Sequence, residues 1–181
     1  LVTHPGVDKV SFTGSTPVGR AIASTAGPLL KKLTLELGGK APQIILADAP
    51  LEQALAGCAM GLFVDQGQTC AAGSRILVHR SLHDTVCQAL AGAANGLKLG
   101  DPLDASTQMG ALISAPHAER VRSHIERAIA DGAKLETQTT PIPDKGFFVR
   151  PAIFSGVTPD MRIAKEEVFG PVGVEIGRAH V

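Results

Sequence analysis

Two side chains in this sequence have the chemistry of a nucleophile and a base. Cys70 lies in a small, glycine-containing segment, residues 63–75, which predicts an exposed turn. A cysteine reacts as its thiolate, and backbone N–H groups in such a turn favour the anion. Glu36 interrupts an apolar segment just before Gly38 and Gly39. Its leucine neighbours are expected to desolvate this carboxylate partly and to raise its pKa towards that of a general base.

Each of these residues also has an ordinary structural explanation. A free cysteine is commonly a small core residue, and this is our interpretation of Cys58, on the apolar face of a predicted helix, and of Cys87. A lone carboxylate such as Glu36 is commonly a salt-bridge partner or a solvated strand residue. Cys70 and Glu36 therefore need support from the rest of the sequence.

Two further segments have the composition of binding loops. Thr13-Gly14-Ser15 stands at the start of a predicted helix, where glycine allows close backbone approach and the helix amino terminus attracts a phosphate or a polar ring. Residues 166–171 form a glutamate-rich turn before a strand, which by itself is typical of an ordinary helix-to-strand connection. A single glycine turn does not distinguish a cofactor site from an ordinary turn.

Taken in order, these segments resemble the aldehyde dehydrogenase superfamily from about residue 4 to about residue 176. The resemblance rests on the cysteine segment, on Glu36-Leu-Gly-Gly-Lys40 and on Glu166-Glu-Val-Phe-Gly-Pro171. It implies that Cys70 is the nucleophile and that Glu36 activates the water that hydrolyses a thioester. Lys40 and Arg75 belong to these segments, and we interpret them as structural or substrate-channel residues.

The resemblance also implies a cofactor, NAD or NADP. Gly14 and Ser15 would lie beside the nicotinamide end of the dinucleotide, Glu167 would hold the nicotinamide ribose, and Phe169 would pack near the ring. The family does not use the G-x-G-x-x-G loop in its cofactor domain, so the absence of that pattern from this sequence does not argue against it.

The function that the resemblance implies is oxidation of a small-molecule aldehyde to a carboxylic acid through a cysteine thiohemiacetal and a thioester. Two alternatives stay open. One is a non-catalytic module that keeps the fold, and the other is an acylating relative that passes the acyl group to coenzyme A or phosphate. Glu36 favours hydrolysis, because the acylating relatives usually lack the matching glutamate. Full-length members form dimers or tetramers, so a homo-oligomer is expected.

The elements that must position these residues alternate between strands and helices. Thr16 is predicted to cap a helix with Pro17 in its first turn, Ser81 and Asp84 are predicted to form a capping box, and Ser114 is predicted to cap a helix. The predicted strands are residues 7–12, 32–37, 43–46, 76–78, 147–149, 152–154 and 172–176. This alternation predicts an α/β fold with an open, largely parallel sheet and helices on both faces.

The resemblance divides the chain into unequal parts. Residues 1–36 would be the C-terminal remnant of a dinucleotide-binding domain and residues 37–176 a truncated catalytic domain. Residues 177–181 are a candidate non-native tail. Because most of the cofactor domain would precede Leu1, we expect this chain alone to bind the cofactor poorly and to be inactive.

Composition limits the partners. Lys plus Arg and Asp plus Glu number 17 each, and the sequence has no Trp or Tyr and six Phe. Such a balance predicts neither nucleic-acid binding nor attraction to a membrane surface. Three cysteines form no pairable set and no C-x-x-C pattern, which favours free thiols in the cytoplasm. The spacing of the histidines predicts no metal site.

Overall fold

A computed structural model describes residues 1–138 and 141–176. The chain divides into two compact units, Leu1–Gly39 and a second unit that begins at Lys40. This boundary lies slightly beyond the division expected after Glu36. The predicted tail, residues 177–181, lies outside the described residues.

The first unit is a strand-helix-strand motif. Strands β1 (Lys9–Gly14) and β2 (Lys32–Leu37) pair in parallel, and helix α1 (Thr16–Ala26) connects them. The strand predicted over residues 7–12 is displaced towards the helix, and Ser15 rather than Thr16 is the N-cap residue. The reason is that Gly14 still pairs with Leu37, so the chain enters the helix directly from the strand.

The second unit contains a five-stranded sheet. Its strands lie in the order β3-β4-β7-β6-β5, in which the first four are parallel and β5 is antiparallel to β6. This arrangement confirms the predicted largely parallel α/β sheet. In chain order the elements are β3 (Pro42–Ile45), α2 (Leu51–Phe63), β4 (Arg75–Val78), α3 (His83–Gly96), α4 (Ala115–Ala130), β5 (Lys134–Leu135), β6 (Ala152–Ser155), α5 (Arg162–Lys165) and β7 (Val172–Ile176).

Helices cover both faces of this sheet, as predicted. Because side chains alternate along a strand, β6 contributes to two separate hydrophobic clusters, whereas the apolar residues of β7 belong to one of them. Phe154 and Val174 pack with residues of α4 and α5, whereas Ile153 packs with residues of α2 and α3. The core therefore consists of one layer on each side of the sheet, and the connecting loops remain at the sheet edges.

Glu175 is a charged residue inside this core. Its side chain on β7 is completely buried, and the Nε2 atom of His83 on α3 lies 3.6 Å from its Oε1 atom. Burial raises the pKa of the Glu175 carboxyl to about 7, although His83 acts in the opposite direction. The same burial, together with Glu175, raises the pKa of the neighbouring Cys87 thiol to about 12. We therefore expect Glu175 to destabilise the fold at neutral pH.

Two local predictions were wrong. Ser81 does not cap α3, because it lies in a single 3-10 turn and its hydroxyl makes a 2.9 Å hydrogen bond with Nδ1 of His79. Residues 147–149 form no strand. Instead the Phe147 carbonyl accepts a hydrogen bond from the Leu112 N–H, and the Phe148 carbonyl accepts one from the Arg122 guanidinium on α4.

The predicted cap of α4 is confirmed, since the Ser114 hydroxyl accepts a hydrogen bond from the His117 N–H at 3.4 Å. This cap matters for the site because α4 packs against residues 166–171. In the part of the chain that the structure describes, no helix is long and apolar enough to cross a bilayer. Residues 1–138 and 141–176 also contain no cluster of three potential metal ligands.

Candidate active site

The entry to the cysteine loop is a left-handed bend. After α2, Asp65, Gln66 and Gly67 have φ values of 51°, 57° and 69°. Glycine is required at the last of these positions. A Cβ atom on Gly67 would lie only 2.2 Å from the carbonyl oxygen of Gly170. The bend therefore presses the backbone of the cysteine loop against the segment that precedes β7.

The exit from the loop is held by a glutamine of β3. The Gln43 amide donates hydrogen bonds to the carbonyl of Gly73 at 2.7 Å and to the carbonyl of Cys58 at 3.3 Å. The Gly73 N–H in turn donates to the Gly61 carbonyl on α2 at 3.1 Å. A Cβ atom on Gly73 would overlap the Gln43 side chain, so this close contact also needs a glycine.

Cys70 lies in an exposed turn between these two anchors, as predicted. The turn is closed by a 3.0 Å hydrogen bond from the Ala72 N–H to the Thr69 carbonyl. The side chain of Gln68, two residues before Cys70, accepts a hydrogen bond from the Ile113 N–H at 3.0 Å. The loop thus presents a solvent-accessible thiol on a backbone that is hydrogen-bonded on both sides.

The other two thiols differ from Cys70. Cys58 on α2 and Cys87 on α3 are buried in the same hydrophobic cluster. Burial raises the pKa of both thiols, and the thiolate is the reactive form. Accessibility and ionisation therefore both disfavour reaction at Cys58 and Cys87.

The first unit brings the candidate base and part of the candidate cofactor segment to one edge of its small sheet. Thr13 pairs with Glu36 and Gly14 pairs with Leu37, so both strands end together. Ser15 is exposed at the amino terminus of α1, and its hydroxyl makes no capping hydrogen bond. The hydroxyl and the first N–H groups of the helix are thus available to a ligand.

Glu36 itself is exposed. The partial desolvation that its leucine neighbours suggested is therefore not present in this chain. Alternation is the cause, because Leu33, Leu35 and Leu37 lie on the opposite face of β2 from the carboxylate. Cys70, Glu167 and Phe169 belong to the second unit.

Residues 166–171 connect α5 to β7 and lie along one side of α4. The Phe169 carbonyl is 2.6 Å from Nε2 of His117, and the two rings meet edge to face at 5.9 Å. A Cβ atom on Gly170 would lie 2.8 Å from the methyl groups of Val121. Nδ1 of His124 is 3.8 Å from the Glu166 carboxylate. Three residues of one helix face thus contact three parts of this segment.

Phe169 has an unusual backbone within this connection. Its φ of 56° lies in the left-handed region, which is uncommon for a bulky residue, and its side chain remains partly exposed. An aromatic side chain that stays exposed on a constrained backbone provides a flat apolar surface for a ligand ring.

Lys40, the last residue of the glutamate segment, stands beside this connection in the second unit. Its Nζ atom is buried and has no hydrogen-bond partner among the described residues. Burial lowers the pKa of Lys40 to about 8, and the charge of Arg75 acts in the same direction, whereas Glu167 raises it. The three side chains therefore interact electrostatically at the edge of the sheet where β3 and β4 begin.

Gln43, Gln68 and His117 are site residues that were not predicted from the sequence. Gln43 could have been noticed as an amide in an otherwise apolar strand. His117 has a weaker signal, the four-residue spacing to Val121 and the seven-residue spacing to His124 on α4. Nothing in the sequence indicated which segment that helix face would contact.

A cavity of about 200 Å³ lies elsewhere in the second unit. Arg122, Phe148 and Arg150 are among the residues that line it, and none of its lining residues is a predicted site residue. The candidate site is therefore the surface around the cysteine loop and residues 166–171, not this cavity.

Known proteins resemble this chain in both sequence and structure. The aldehyde dehydrogenase family model matches residues 1–177. The chain belongs to the aldehyde dehydrogenase family. The structure of the Bacillus cereus aldehyde dehydrogenase in complex with NAD+ superposes with a TM-score of 0.94 and 46% identity, covering 97% of this chain and 36% of that one.

Two curated relatives show the same extent of similarity. Human retinal dehydrogenase 2 is 46% identical over 173 residues, which is 95% of this chain and 33% of the relative. Betaine aldehyde dehydrogenase of Brucella ovis is 45% identical over 177 residues, which is 95% of this chain and 36% of the relative. This aldehyde dehydrogenase chain thus spans about a third of the length of the relatives that it matches.

Proposed function

We propose that this chain forms the thiol-bearing part of an enzyme that oxidises an aldehyde to a carboxylic acid with NAD+ or NADP+. The observation that carries the proposal is the exposed Cys70 turn, which is anchored on one side by Gly67 against Gly170 and on the other by Gly73 against Gln43. Such anchoring fixes a nucleophile in position before the substrate arrives.

In the proposed reaction the Cys70 thiolate attacks the aldehyde carbon and forms a C–S bond. The carbonyl electron pair moves to oxygen, which gives a thiohemiacetal anion. The nicotinamide cofactor, when bound, supplies the acceptor for the hydride that leaves this carbon, and the thiohemiacetal becomes a thioester on Cys70. Backbone N–H groups of the turn are suited to stabilise the oxyanion.

Hydrolysis then frees the product. Glu36 removes a proton from water, the hydroxide attacks the thioester carbonyl, and the C–S bond breaks to return the Cys70 thiolate and a carboxylic acid. A carboxylate in this role supports release of the free acid over transfer to coenzyme A. Its exposure on β2 leaves it accessible to water.

The described residues fit a nicotinamide cofactor. The free hydroxyl of Ser15 stands at a helix amino terminus, where a phosphate is favoured. The Glu167 carboxylate suits a ribose diol, and the exposed Phe169 ring suits the nicotinamide face. We propose that Gly14 and Ser15 lie near the nicotinamide end of the cofactor. We also propose that the longer protein is a homo-oligomer and that it works in a reducing compartment such as the cytoplasm.

The test is a chimera in which residues 1–176 replace the matching segment of the Bacillus cereus aldehyde dehydrogenase, a relative at 46% identity. We expect aldehyde-dependent formation of NADH or NADPH by the chimera and none by its Cys70→Ala variant. The matched control is Cys58→Ala, a buried thiol that should leave turnover intact. The 181-residue chain alone should show no turnover. A Cys70→Ala chimera as active as its parent would refute the proposal.

A further inference from the structure

His117 on α4 reaches the backbone carbonyl of Phe169. It is 5% exposed and makes hydrogen bonds through both ring nitrogens. The Arg120 guanidinium lies 3.0 Å from Nδ1, and the Phe169 carbonyl lies 2.6 Å from Nε2. A guanidinium can only donate and a carbonyl can only accept. Nδ1 must therefore be the acceptor, and the imidazole proton lies on Nε2 and is donated to Phe169.

The acceptor at Nε2 and the donor at Nδ1 both require this tautomer. The Nε2–H thus joins α4 to a backbone carbonyl 52 residues away in sequence. The carbonyl belongs to a residue whose backbone is left-handed, with φ of 56°. A bulky residue adopts this conformation only when its surroundings hold it there.

The surroundings of Phe169 are rigid on both sides. Gly170 is in contact with Val121 on α4 and with Gly67 of the cysteine loop, and both contacts exclude any side chain larger than hydrogen. The Ala152 N–H donates to the Pro171 carbonyl at 2.8 Å and so attaches the segment to the sheet. The Phe169 carbonyl, in contrast, is held by a side chain, that of His117.

We infer that His117 is a positioning residue, whose Nε2–H holds the Phe169 carbonyl and thereby fixes the Phe169 ring as the surface against which the nicotinamide ring packs. The inference rests on the proposed function for the identity of that ring. It assigns to α4 the task of presenting Phe169, through a residue that itself contacts neither the aldehyde nor Cys70.

The first test uses the 181-residue chain labelled with fluorophenylalanine. The chain has six phenylalanines, and the Phe169 resonance is identified by its loss in Phe169→Leu. We expect one narrow Phe169 resonance in the parent and a displaced or broadened one in His117→Leu. His117→Gln retains an N–H donor and should restore the parent signal. An unchanged Phe169 resonance in a folded His117→Leu chain would overturn the inference.

A control variant and a second measurement keep this test decisive. His124→Leu removes a half-buried histidine of the same helix face, which approaches Glu166 rather than Phe169, and should leave the Phe169 resonance unchanged. If His117→Leu does not fold, nitrogen NMR of the imidazole in the parent chain decides. We expect the single Nε2–H tautomer there. A neutral ring with its proton on Nδ1 would overturn the inference.

The chimera separates this inference from the proposed function. We expect His117→Leu to raise KM for the cofactor about fivefold, the factor that corresponds to one lost hydrogen bond, while KM for the aldehyde stays unchanged. His117→Gln should restore the parent value. An active parent chimera with the same cofactor KM in His117→Leu would overturn the inference. An inactive parent would count against the proposed function alone, since the fluorine measurement still decides the position of Phe169.

Discussion

Gly67 and Gly170 meet backbone to backbone, so closely that a Cβ atom on Gly67 would lie 2.2 Å from the Gly170 carbonyl oxygen. The first glycine is three residues before Cys70 and the second directly follows Phe169. This contact joins the loop of the candidate nucleophile to the segment of the candidate nicotinamide site. The distance between the two functional segments is therefore fixed by main-chain atoms and does not depend on a flexible side chain.

We expect Gly67→Ala to disrupt this contact. The new methyl group would overlap the Gly170 carbonyl, and the residue would have to keep a φ of 69°. Together these should lower the free energy of unfolding by roughly 2 kcal/mol or more, measured by urea denaturation. The alkylation rate of Cys70 should also change, because the loop must move.

The control is Gly57→Ala in the exposed middle of α2, where a new Cβ would meet nothing within 4 Å. Alanine is the better helix former, so this change should stabilise the chain by about 0.5–1 kcal/mol. Equal effects of the two substitutions would show that the Gly67 contact is not important.

The three cysteines should react with iodoacetamide at different rates. Cys70 is exposed, whereas Cys58 and Cys87 are buried and have raised pKa values. Mass spectrometry of the native chain at neutral pH should therefore find the first alkyl group on Cys70. The difference should disappear in denaturant. Reaction of native Cys70 no faster than Cys58 would support the alternative of a non-catalytic module.

The buried Glu175 should make stability depend on pH. Its folded pKa of about 7 lies above the ordinary value of 4.5, so between these values the native chain binds more protons than the unfolded chain. Stability should consequently fall as the pH rises through this window, by a loss on the order of 3 kcal/mol.

Glu175→Leu should remove this dependence and raise the free energy of unfolding at pH 7. The matched control is Glu126→Leu on the exposed face of α4, which should change neither quantity by more than about 0.5 kcal/mol. The measurement is urea denaturation at several pH values. If Glu175→Leu leaves the pH dependence of stability unchanged, Glu175 is not its source.

Much of the fold could be predicted because hydrophobic periodicity follows burial directly. Strand β7 over Val172–Ile176 and the Ser114 cap of α4 coincide with their predictions. The capping box at Ser81 failed because Ser81 lies in a 3-10 turn and Leu82 is the N-cap residue of α3. The strand over residues 147–149 failed because loop and helix donors take its carbonyl groups.

The site could be predicted only in part. Local sequence indicated an exposed turn at Cys70, since glycines and small residues flank it. The prediction that Glu36 is partly desolvated was wrong, because the leucines next to it in sequence lie on the other face of the strand. The contact of His117 with Phe169 joins residues far apart in sequence, so neither position shows a local pattern.

Lys40 should titrate well below an ordinary lysine. Its pKa is lowered to about 8, chiefly by burial and then by Arg75. Between pH 8 and the ordinary lysine value of 10.5 the unfolded chain binds more protons, so stability should rise with pH across this window. Carbon NMR of dimethylated lysines measures the pKa, with the signal lost in Lys40→Arg as the assignment. A Lys40 midpoint equal to that of the exposed Lys165 would refute the buried environment.

The central claim, that Cys70 forms a thioester which Glu36 hydrolyses, is tested most directly by rapid mixing of the Glu36→Gln chimera with aldehyde and cofactor. We expect one equivalent of reduced cofactor in a burst, almost no further turnover, and an acyl group on Cys70 detected by mass spectrometry. The Glu36→Asp chimera, which keeps a carboxylate, should retain part of the steady turnover. Steady turnover by Glu36→Gln at the rate of the parent, or an acyl group on another residue, would contradict the account.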